Sequence, residues 1–150
     1  MHIILRLIND GVNLILLLFK PMRLGVKLLL IQDDQVLLVK HKYGNDWYLP
    51  GGGIQKGEAV EAAGRREAQE ELGATLGDVR VFGIYSRPHH NHHVAVLLCQ
   101  DFTMTGNTDF EIERFQFFPV WQLPPDASKA TRNRVAEYVR REQVTGLGAW

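Results

Sequence analysis

Three glutamates on one predicted helix have the spacing of a cation-binding site. Glu67, Glu70 and Glu71 stand at positions i, i+3 and i+4, which places their carboxylates on one helix face within about one turn. Like charges at this spacing repel each other, so a compensating group is needed. A hard divalent cation with oxygen ligands is the natural candidate. Arg66 can brace one carboxylate from the side, but it cannot neutralise all three.

A glycine loop precedes the acidic helix. Gly51, Gly52 and Gly53 can adopt backbone angles that other residues avoid, so the loop can turn and present carbonyl or N–H groups to the glutamates. An acidic helix face alone is more often a solvated surface, but an adjoining glycine loop favours a site. The loop is not a P-loop, because Glu58 stands where that motif requires lysine.

The segment Gly52–Ala74 resembles the complete Nudix box. Gly52 is followed by five residues, Glu58, seven residues and then the run REAQEELGA that starts at Arg66. All the fixed positions of the box match. The run WYLP that starts at Trp47, and the FFP and LP stretches near the end of the chain, are also similar to the family. The resemblance covers roughly residues 22 to 142.

The resemblance implies a fold and a reaction. The fold is an α/β/α sandwich with a mixed β-sheet. The reaction is metal-dependent hydrolysis of a phosphoanhydride bond in a nucleoside diphosphate linked to another moiety, by an activated water. The substrate would be a nucleoside triphosphate, a dinucleoside diphosphate or a sugar-nucleotide diphosphate, and the cation Mg²⁺, replaceable by Mn²⁺. A nucleotide-sensing Nudix domain without turnover is the alternative, although a sensor need not keep all three glutamates.

Roles follow from the matched positions of the box. Glu70 and Glu71 are implied as the core metal ligands. Glu67 is implied as a further ligand or as the general base, so the three form the catalytic set. The backbone carbonyl of Gly52, or of a neighbour, is expected to complete the metal site.

Further residues are expected to support the site or to contact the substrate. Glu58 and Arg66 are implied as structural supports of the loop and helix. Outside the box, we expect an extra ligand or base from two acidic residues near the last strand. We expect substrate contacts from these acids, from a lysine and from two aromatic residues. They are Glu111, Glu113, Lys42, Tyr48 and Tyr85.

The histidine cluster His89–His93 favours a polar loop that leads into a strand. Adjacent residues of an extended chain point to opposite faces, so the four histidines cannot converge on one ion. A substrate contact from one of them remains an alternative, because the loop would lie near the cleft.

Composition restricts the class of protein. The 150 residues suit one domain. Seventeen basic residues balance seventeen acidic ones, which argues against a protein built to bind a nucleic-acid backbone. RNA 5′-end processing is disfavoured on the same ground but stays open. A lone cysteine, Cys99, excludes a disulfide framework and fits a reducing cytoplasm.

The N-terminal residues 1–20 are predicted to form an amphipathic helix outside the Nudix domain of residues 21–150. Polar residues interrupt their apolar run, so they suit neither a spanning helix nor a signal peptide. We expect the helix to pack on the domain or on the second subunit of a homodimer. Docking on a membrane surface is a less favoured alternative.

The remaining pattern predicts a mixed sheet covered by helices, because several strands run consecutively. Strands are predicted at Leu24–Ile31, Gln35–Lys40, Trp47–Leu49, Val79–Tyr85, His92–Phe102 and Ile112–Phe118. Helices are predicted at Glu58–Leu72 and Ala127–Gln143, with a loose tail at Val144–Trp150.

Overall fold

The computed structural model describes residues 21–140 and 146–150. The expected N-terminal helix and its dimer contact lie outside these residues. The strands are β1 (Arg23–Gln32), β2 (Gln35–His41), β3 (Trp47–Tyr48), β4 (Ala74–Leu76), β5 (Val79–Arg87), β6 (His92–Cys99), β7 (Phe102–Met104), β8 (Ile112–Pro119) and β9 (Gly146–Ala149). The helices are α1 (Val60–Leu72), α2 (Lys129–Val139) and a short 3-10 turn at Pro88–His90. No described helix is long and apolar enough to cross a membrane.

The main sheet is mixed, as expected. Its strand order is β3-β2-β1-β6-β5-β9, and β8 pairs with the other edge of β2. Strand β1 runs parallel to β6 from the pair Arg23 and His92 to the pair Leu30 and Cys99. Strands β5 and β6 are antiparallel, and β4 and β7 form a separate two-stranded ribbon. The parallel pair matters most, because it brings the start of β6 beside the start of β1.

Alternating side chains of β1 pack against layers on both faces of the sheet. Val26 and Leu28 are buried in a cluster that includes Ala63 and Leu72 of α1. Leu29 is buried in a second cluster on the opposite face, with Val135 of α2. This alternation is the two-residue period of a strand buried on both sides, and it confirms the α/β/α sandwich.

The strands differ from the sequence expectation in three places. The described part of the tail, residues 146–150, is not loose, because Gly146–Ala149 adds a parallel strand to the edge of β5. Ribbon strand β4 was not expected, and the long strand predicted at His92–Phe102 breaks into β6 and β7 around an exposed turn. Glycines and short length weaken strand signals in sequence, and only pairing with a distant edge makes these segments strands.

Gly64, in the middle of α1, marks the closest approach of the helix to the sheet. An added Cβ would lie 2.8 Å from Leu97 Cδ1 and 3.2 Å from Leu28 Cδ2. We therefore expect Gly64→Val to lower the free energy of unfolding by roughly 1–3 kcal/mol through overpacking, measured by urea denaturation.

The matched control is Ala62→Val, at an exposed position of the same helix. It should cost less than about 0.7 kcal/mol, which is the helix-propensity range alone. Equal losses in the two variants would contradict the packing explanation.

Candidate active site

Helix α1 directs its glutamates to different depths. The helix starts after Ala59 and ends at Gly73, whose N–H bonds back to Ala68 and Gln69 carbonyls. Its small face packs on the sheet, so Glu71, beside that face, is only 5% exposed. The Glu70 side chain, on the outer side, is 51% exposed. Glu67 lies between these extremes, with 12% of its side chain exposed.

The glycine loop contacts this helix closely, as expected. The Gly51 N–H donates to Glu71 Oε2 at 2.8 Å. Gly51 has φ of 121° and an added Cβ would lie 2.3 Å from the Val26 carbonyl oxygen, so a larger residue would be strained there. An added Cβ on Gly52 would lie 2.7 Å from Glu67 Oε1. The absence of side chains thus lets the loop backbone approach two carboxylates.

The loop carbonyls point in different directions, and the expected metal ligand, the carbonyl of Gly52 or of a neighbour, stays a prediction. The Gly52 carbonyl accepts a hydrogen bond from Val26 N–H at 2.9 Å and is therefore engaged with β1. The Gly53 carbonyl accepts from Arg66 Nη2 at 2.9 Å. The Gly51 carbonyl accepts from Lys27 Nζ, beside the buried glutamate. The carbonyl of Gly51, and not that of Gly52, therefore contacts the Lys27 ammonium.

Arg66 joins the loop to the acidic face. Its Nε and Nη2 donate to the two carboxylate oxygens of Glu58 at 2.8 and 3.0 Å. Its Nη1 donates to Glu67 at 2.8 Å and to Glu70 at 3.0 Å. Bidentate guanidinium–carboxylate pairs combine charge with fixed geometry. This arrangement links the loop to the helix, and the supporting role of Glu58 and Arg66 stays a prediction.

Burial dominates the electrostatics of Glu71 and Lys27. Burial raises the pKa of Glu71 to about 7, against the opposing effects of the Lys27 ammonium and the Gly51 N–H. Burial lowers the pKa of Lys27, against the opposing effects of Glu71 and Glu67. Each charge is costly in its buried position and is partly compensated by the other. A group that balances the remaining acidic charge would stabilise the ionised site.

The donor set suits a hard divalent cation, although the carboxylates do not converge. Among the described residues, no three His, Cys, Asp or Glu side chains form a metal-holding group. Arg66 draws Glu67 and Glu70 outward, whereas the Gly51 N–H draws Glu71 inward. Carboxylate and carbonyl oxygens are nonetheless the ligands that Mg²⁺ prefers, and Gly52 lies directly against the Glu67 carboxylate with no side chain between them. The residues fit such an ion if it displaces Arg66 from two of them.

The acidic residues of this part of the chain lie just before β8 and at its start. Asp109 acts on Glu71 and raises its pKa, and its Oδ1 accepts the N–H groups of Glu111 and Ile112. Glu111 is exposed and acts on His41. Glu113 is exposed on β8. Asp109, which the sequence did not single out, is thus an acid whose charge reaches Glu71.

A cavity of about 500 Å³ adjoins the site through Lys27. Tyr48 lines it, as does His41, whose ring centroid is 5.7 Å from that of Tyr48. Lys42 does not line it; its side chain is exposed and its N–H bonds to the Glu111 carbonyl. Of the three expected substrate contacts Lys42, Tyr48 and Tyr85, only Tyr48 therefore lines the cavity.

Tyr85 corrects another expectation. It is 1% exposed, its hydroxyl donates to Glu137 at 2.7 Å, and the Arg134 guanidinium lies 3.5 Å from its ring centroid. Because its ring is enclosed in the core, a base cannot stack on it. Strand β5 places Tyr85 opposite Val94, on the face covered by α2.

Sequence reasoning missed three residues that line the cavity, namely Lys27, Arg87 and Trp150. Lys27 had a usable signal, since a lysine within the apolar run Leu24–Ile31 is unusual and calls for a partner. Arg87 and Trp150 had none, because only the pairing of β5 with β6 and β9 brings them to the cleft.

Comparisons with known proteins agree with the fold of the described residues. The family model of the NUDIX domain matches residues 21–139. A crystal structure of the MutT NUDIX hydrolase from Burkholderia pseudomallei superposes with a TM-score of 0.68 and 27% identity, over 76% of this chain and 95% of that one.

Curated relatives match mainly in shorter segments. The RNA pyrophosphohydrolase of Actinobacillus pleuropneumoniae serotype 5b (strain L20) is 49% identical over 47 residues, which are 31% of this chain and 23% of that protein. The diphosphoinositol polyphosphate phosphohydrolase 2 of Rattus norvegicus is 36% identical over 66 residues, 43% of this chain and 37% of that protein. The chain spans half or less of the length of such relatives, with 50% the largest share among the first of them.

The ion pair of Glu58 with Arg66 predicts an acid-dependent stability. Hydrogen bonds from Arg66 and from the Gln55 N–H lower the pKa of Glu58 from 4.5 to about 2. The stabilisation is therefore complete above pH 4.5 and is lost as the pH falls toward 2. Urea denaturation should show wild type more stable than Glu58→Gln at neutral pH, with the difference shrinking in acid.

The Glu61→Gln variant is the control, because Glu61 pairs with Arg65 on the exposed side of the same helix. Its difference from wild type should be small at every pH, as is usual for exposed pairs. A Glu58→Gln difference that does not change with pH would rule out the ion pair as its cause.

Proposed function

The chain belongs to the Nudix family, and from this membership we propose that it hydrolyses a phosphoanhydride bond in a nucleoside diphosphate linked to another moiety. The observation that carries the proposal is the contact between the glycine loop and the acidic helix, in which Gly51 bonds to Glu71 and Gly52 abuts Glu67. Relatives named as pyrophosphohydrolases support the same reaction class.

Mg²⁺, with Mn²⁺ as a substitute, is the proposed cofactor. Glu67, Glu70 and Glu71 would hold it together with the Gly51 carbonyl, which accepts from an ammonium in this structure. When bound, such a cation screens phosphate charge, polarises the phosphoryl oxygen and acidifies the attacking water. Arg66 would then exchange partners and keep Glu58 and the Gly53 carbonyl as its remaining anchors.

Glu67 is the proposed acceptor of the water's proton. Its Oε1 accepts from Arg66, while among the described residues no hydrogen bond reaches its Oε2. It also lies against Gly52, whose missing side chain lets the loop backbone approach this carboxylate. Glu71 is a less suitable acceptor, because its Oε2 is held by the Gly51 N–H. A carboxylate within reach of the water supplies general-base catalysis without a covalent intermediate.

The cavity of about 500 Å³ is the proposed nucleoside site. Its size falls in the range typical of small-molecule sites. Tyr48 offers an aromatic face there, and Lys27 lies between the cavity and Glu71, where an ammonium can contact the substrate's phosphates. Nucleoside and scissile bond would thus lie on either side of Lys27.

Removal of the metal ligands tests the reaction. We expect the Glu70→Gln, Glu71→Gln double variant to lose at least about 10²-fold in kcat, because the cation contributes several kcal/mol of charge stabilisation. The measurement is phosphate and pyrophosphate release from a nucleotide panel, with and without Mg²⁺ or Mn²⁺. The products identify the bond that breaks.

Glu61→Gln should keep full activity, since Glu61 is exposed and pairs with Arg65, which is not a residue of the site. Turnover that needs no metal, or that survives in the double variant, would contradict the proposal. Nucleotide binding without turnover by folded, metal-loaded wild type would instead support the sensor alternative.

The nucleoside site has a test of its own. We expect Tyr48→Ala to raise KM about tenfold with little change in kcat, because a stacked aromatic is worth about 1–3 kcal/mol per base. Tyr43→Ala is the matched control, since Tyr43 is 92% exposed and does not line the cavity. Equal KM values for the two variants would place the base elsewhere.

A further inference from the structure

Strand β9 brings an aromatic side chain to the cleft. The strand pairs in parallel with β5, and the contact continues beyond it, because the Trp150 N–H donates to the Ser86 carbonyl at 3.1 Å. Trp150 is half-buried and lines the larger cavity together with Tyr48. It also lines a smaller cavity of about 250 Å³, which borders the glycine loop at Gly52 and Gly53. The indole of Trp150 therefore lies where the two cavities adjoin.

The tail fits closely against the core residue Tyr85. An added Cβ on Gly148 would lie 3.0 Å from Tyr85 Cδ1, so the missing side chain lets the tail backbone approach the ring. The ring centroids of Tyr85 and Trp150 are 6.2 Å apart, with an angle of 56° between their planes. A tilted aromatic pair at this distance is attractive. The core thus holds the indole, while part of its surface remains open to the cavities.

Arg134 of α2 contacts the same part of the tail. Its side chain is 3% exposed, and its guanidinium carbon lies 3.5 Å from the ring centroid of Tyr85 and 5.8 Å from that of Trp150. Its Nη1 donates to the Ala149 carbonyl at 3.2 Å, and its Nη2 donates to Glu137 at 2.8 Å. Arg134 therefore contacts both the backbone just before Trp150 and the face of its ring.

A buried guanidinium is a costly way to stabilise a tail. Moving the charge out of water opposes folding even when an acid pairs with it. Among the described residues, no acceptor reaches the buried Arg134 Nε, which adds the cost of an unsatisfied donor. A well-packed apolar side chain would avoid both costs. The planar group with fixed donors instead suits a residue that sets the orientation of its neighbours.

We propose that Trp150 is a specificity-determining residue whose indole stacks on the base of the substrate, and that Arg134 is the positioning residue that holds the indole in place. This rests on the proposed function, and it assigns substrate selection to the base rather than to the group beyond the anhydride. Every base has a π-face on which an aromatic side chain can stack. Tyr48 and Trp150 line the same cavity, so the base meets two aromatic residues there.

Binding of nucleoside 5′-monophosphates tests the stacking without turnover, because a monophosphate has no anhydride bond. Calorimetry on the full chain with Mg²⁺ compares the four common ribonucleoside 5′-monophosphates with ribose 5-phosphate, which lacks only the base. Trp150→Ala should weaken binding of the tightest monophosphate about tenfold, as for the loss of one base–aromatic stack. It should leave the affinity for ribose 5-phosphate unchanged. Trp150→Phe should recover part of the loss, because it keeps a smaller ring.

Trp121→Ala is the matched control, since Trp121 is 69% exposed and lines neither cavity. Its affinities should equal those of wild type. Equal losses in the Trp121 and Trp150 variants would overturn the proposal. So would a wild type that binds no monophosphate more tightly than ribose 5-phosphate, because the base would then contribute nothing.

Tryptophan fluorescence supplies a spectroscopic signature of the stack. A base that stacks on an indole quenches its emission, so the monophosphate should quench wild type and Trp121→Phe alike. The quench should disappear in Trp150→Phe, because Trp47 is enclosed in the core at 3% exposure. A quench that persists in Trp150→Phe would place the base away from Trp150.

The positioning role of Arg134 has a separate test. Arg134→Met should weaken monophosphate binding about threefold or more, the effect of losing one cation–π contact, with ribose 5-phosphate unaffected. Arg134→Lys should recover part of the loss, because it keeps the charge without the planar group. A purely structural role would lower the free energy of unfolding in urea without separating the two ligands, and that outcome would overturn the positioning role.

Turnover distinguishes this proposal from the reaction on which it rests. For any nucleotide that is hydrolysed, Trp150→Ala should raise KM about tenfold with little change in kcat. Turnover with an unchanged KM would overturn the stacking alone. Base binding that depends on Trp150, in a protein that hydrolyses no nucleotide, would refute the reaction and still support the stacking.

Discussion

The hydrogen bond from Gly51 to Glu71 is the contact on which the rest of the site depends. Glu71 is buried against the sheet, where an unpaired carboxylate would cost several kcal/mol or remain protonated. The Gly51 N–H offsets part of that cost only because the loop backbone lies against β1, with no room for a Cβ beside the Val26 carbonyl. The position of the loop, the depth of the helix and the ionisation of Glu71 therefore depend on each other.

Two cationic side chains, Arg66 and Lys27, compensate different parts of the acidic cluster. Arg66 pairs with the outer carboxylates and with Glu58, whereas Lys27 lies on the inner side near Glu71. The two compensations differ in kind. Arg66 is held by several fixed hydrogen bonds, including one to the Gly53 carbonyl. The ammonium of Lys27 is a compact point charge on a flexible stem, and its hydrogen bond within the described residues goes to the Gly51 carbonyl alone.

Local spacing predicted the part of the site that lies on one helix and its adjoining loop. The glutamates, Arg66 and Glu58 belong to one continuous segment, so their order largely determines their geometry. Periodicity also predicted the strands that bury both faces. Tyr85 and the tail could not be placed in this way, because the core position of Tyr85 depends on the pairing of β5 with β6 and the tail becomes a strand only at the edge of β5. The direction of the Gly52 carbonyl likewise depends on its bond to Val26, more than twenty residues away in sequence.

Strand β1 links the fold to the chemistry through its alternation. Its even positions, such as Val26 and Leu28, form the surface on which α1 packs, and Arg23, Gly25 and Lys27 at its odd positions line a cavity of about 250 Å³ beside the glycine loop. A slip of one residue in the pairing with β6 would exchange the two sets. It would bury Lys27 under the helix and expose Leu28 in the cleft. The buried leucines thus fix the register, and the register in turn fixes that Arg23, Gly25 and Lys27 face this cavity. Hydrophobic packing on one face of β1 therefore positions the charges on the other.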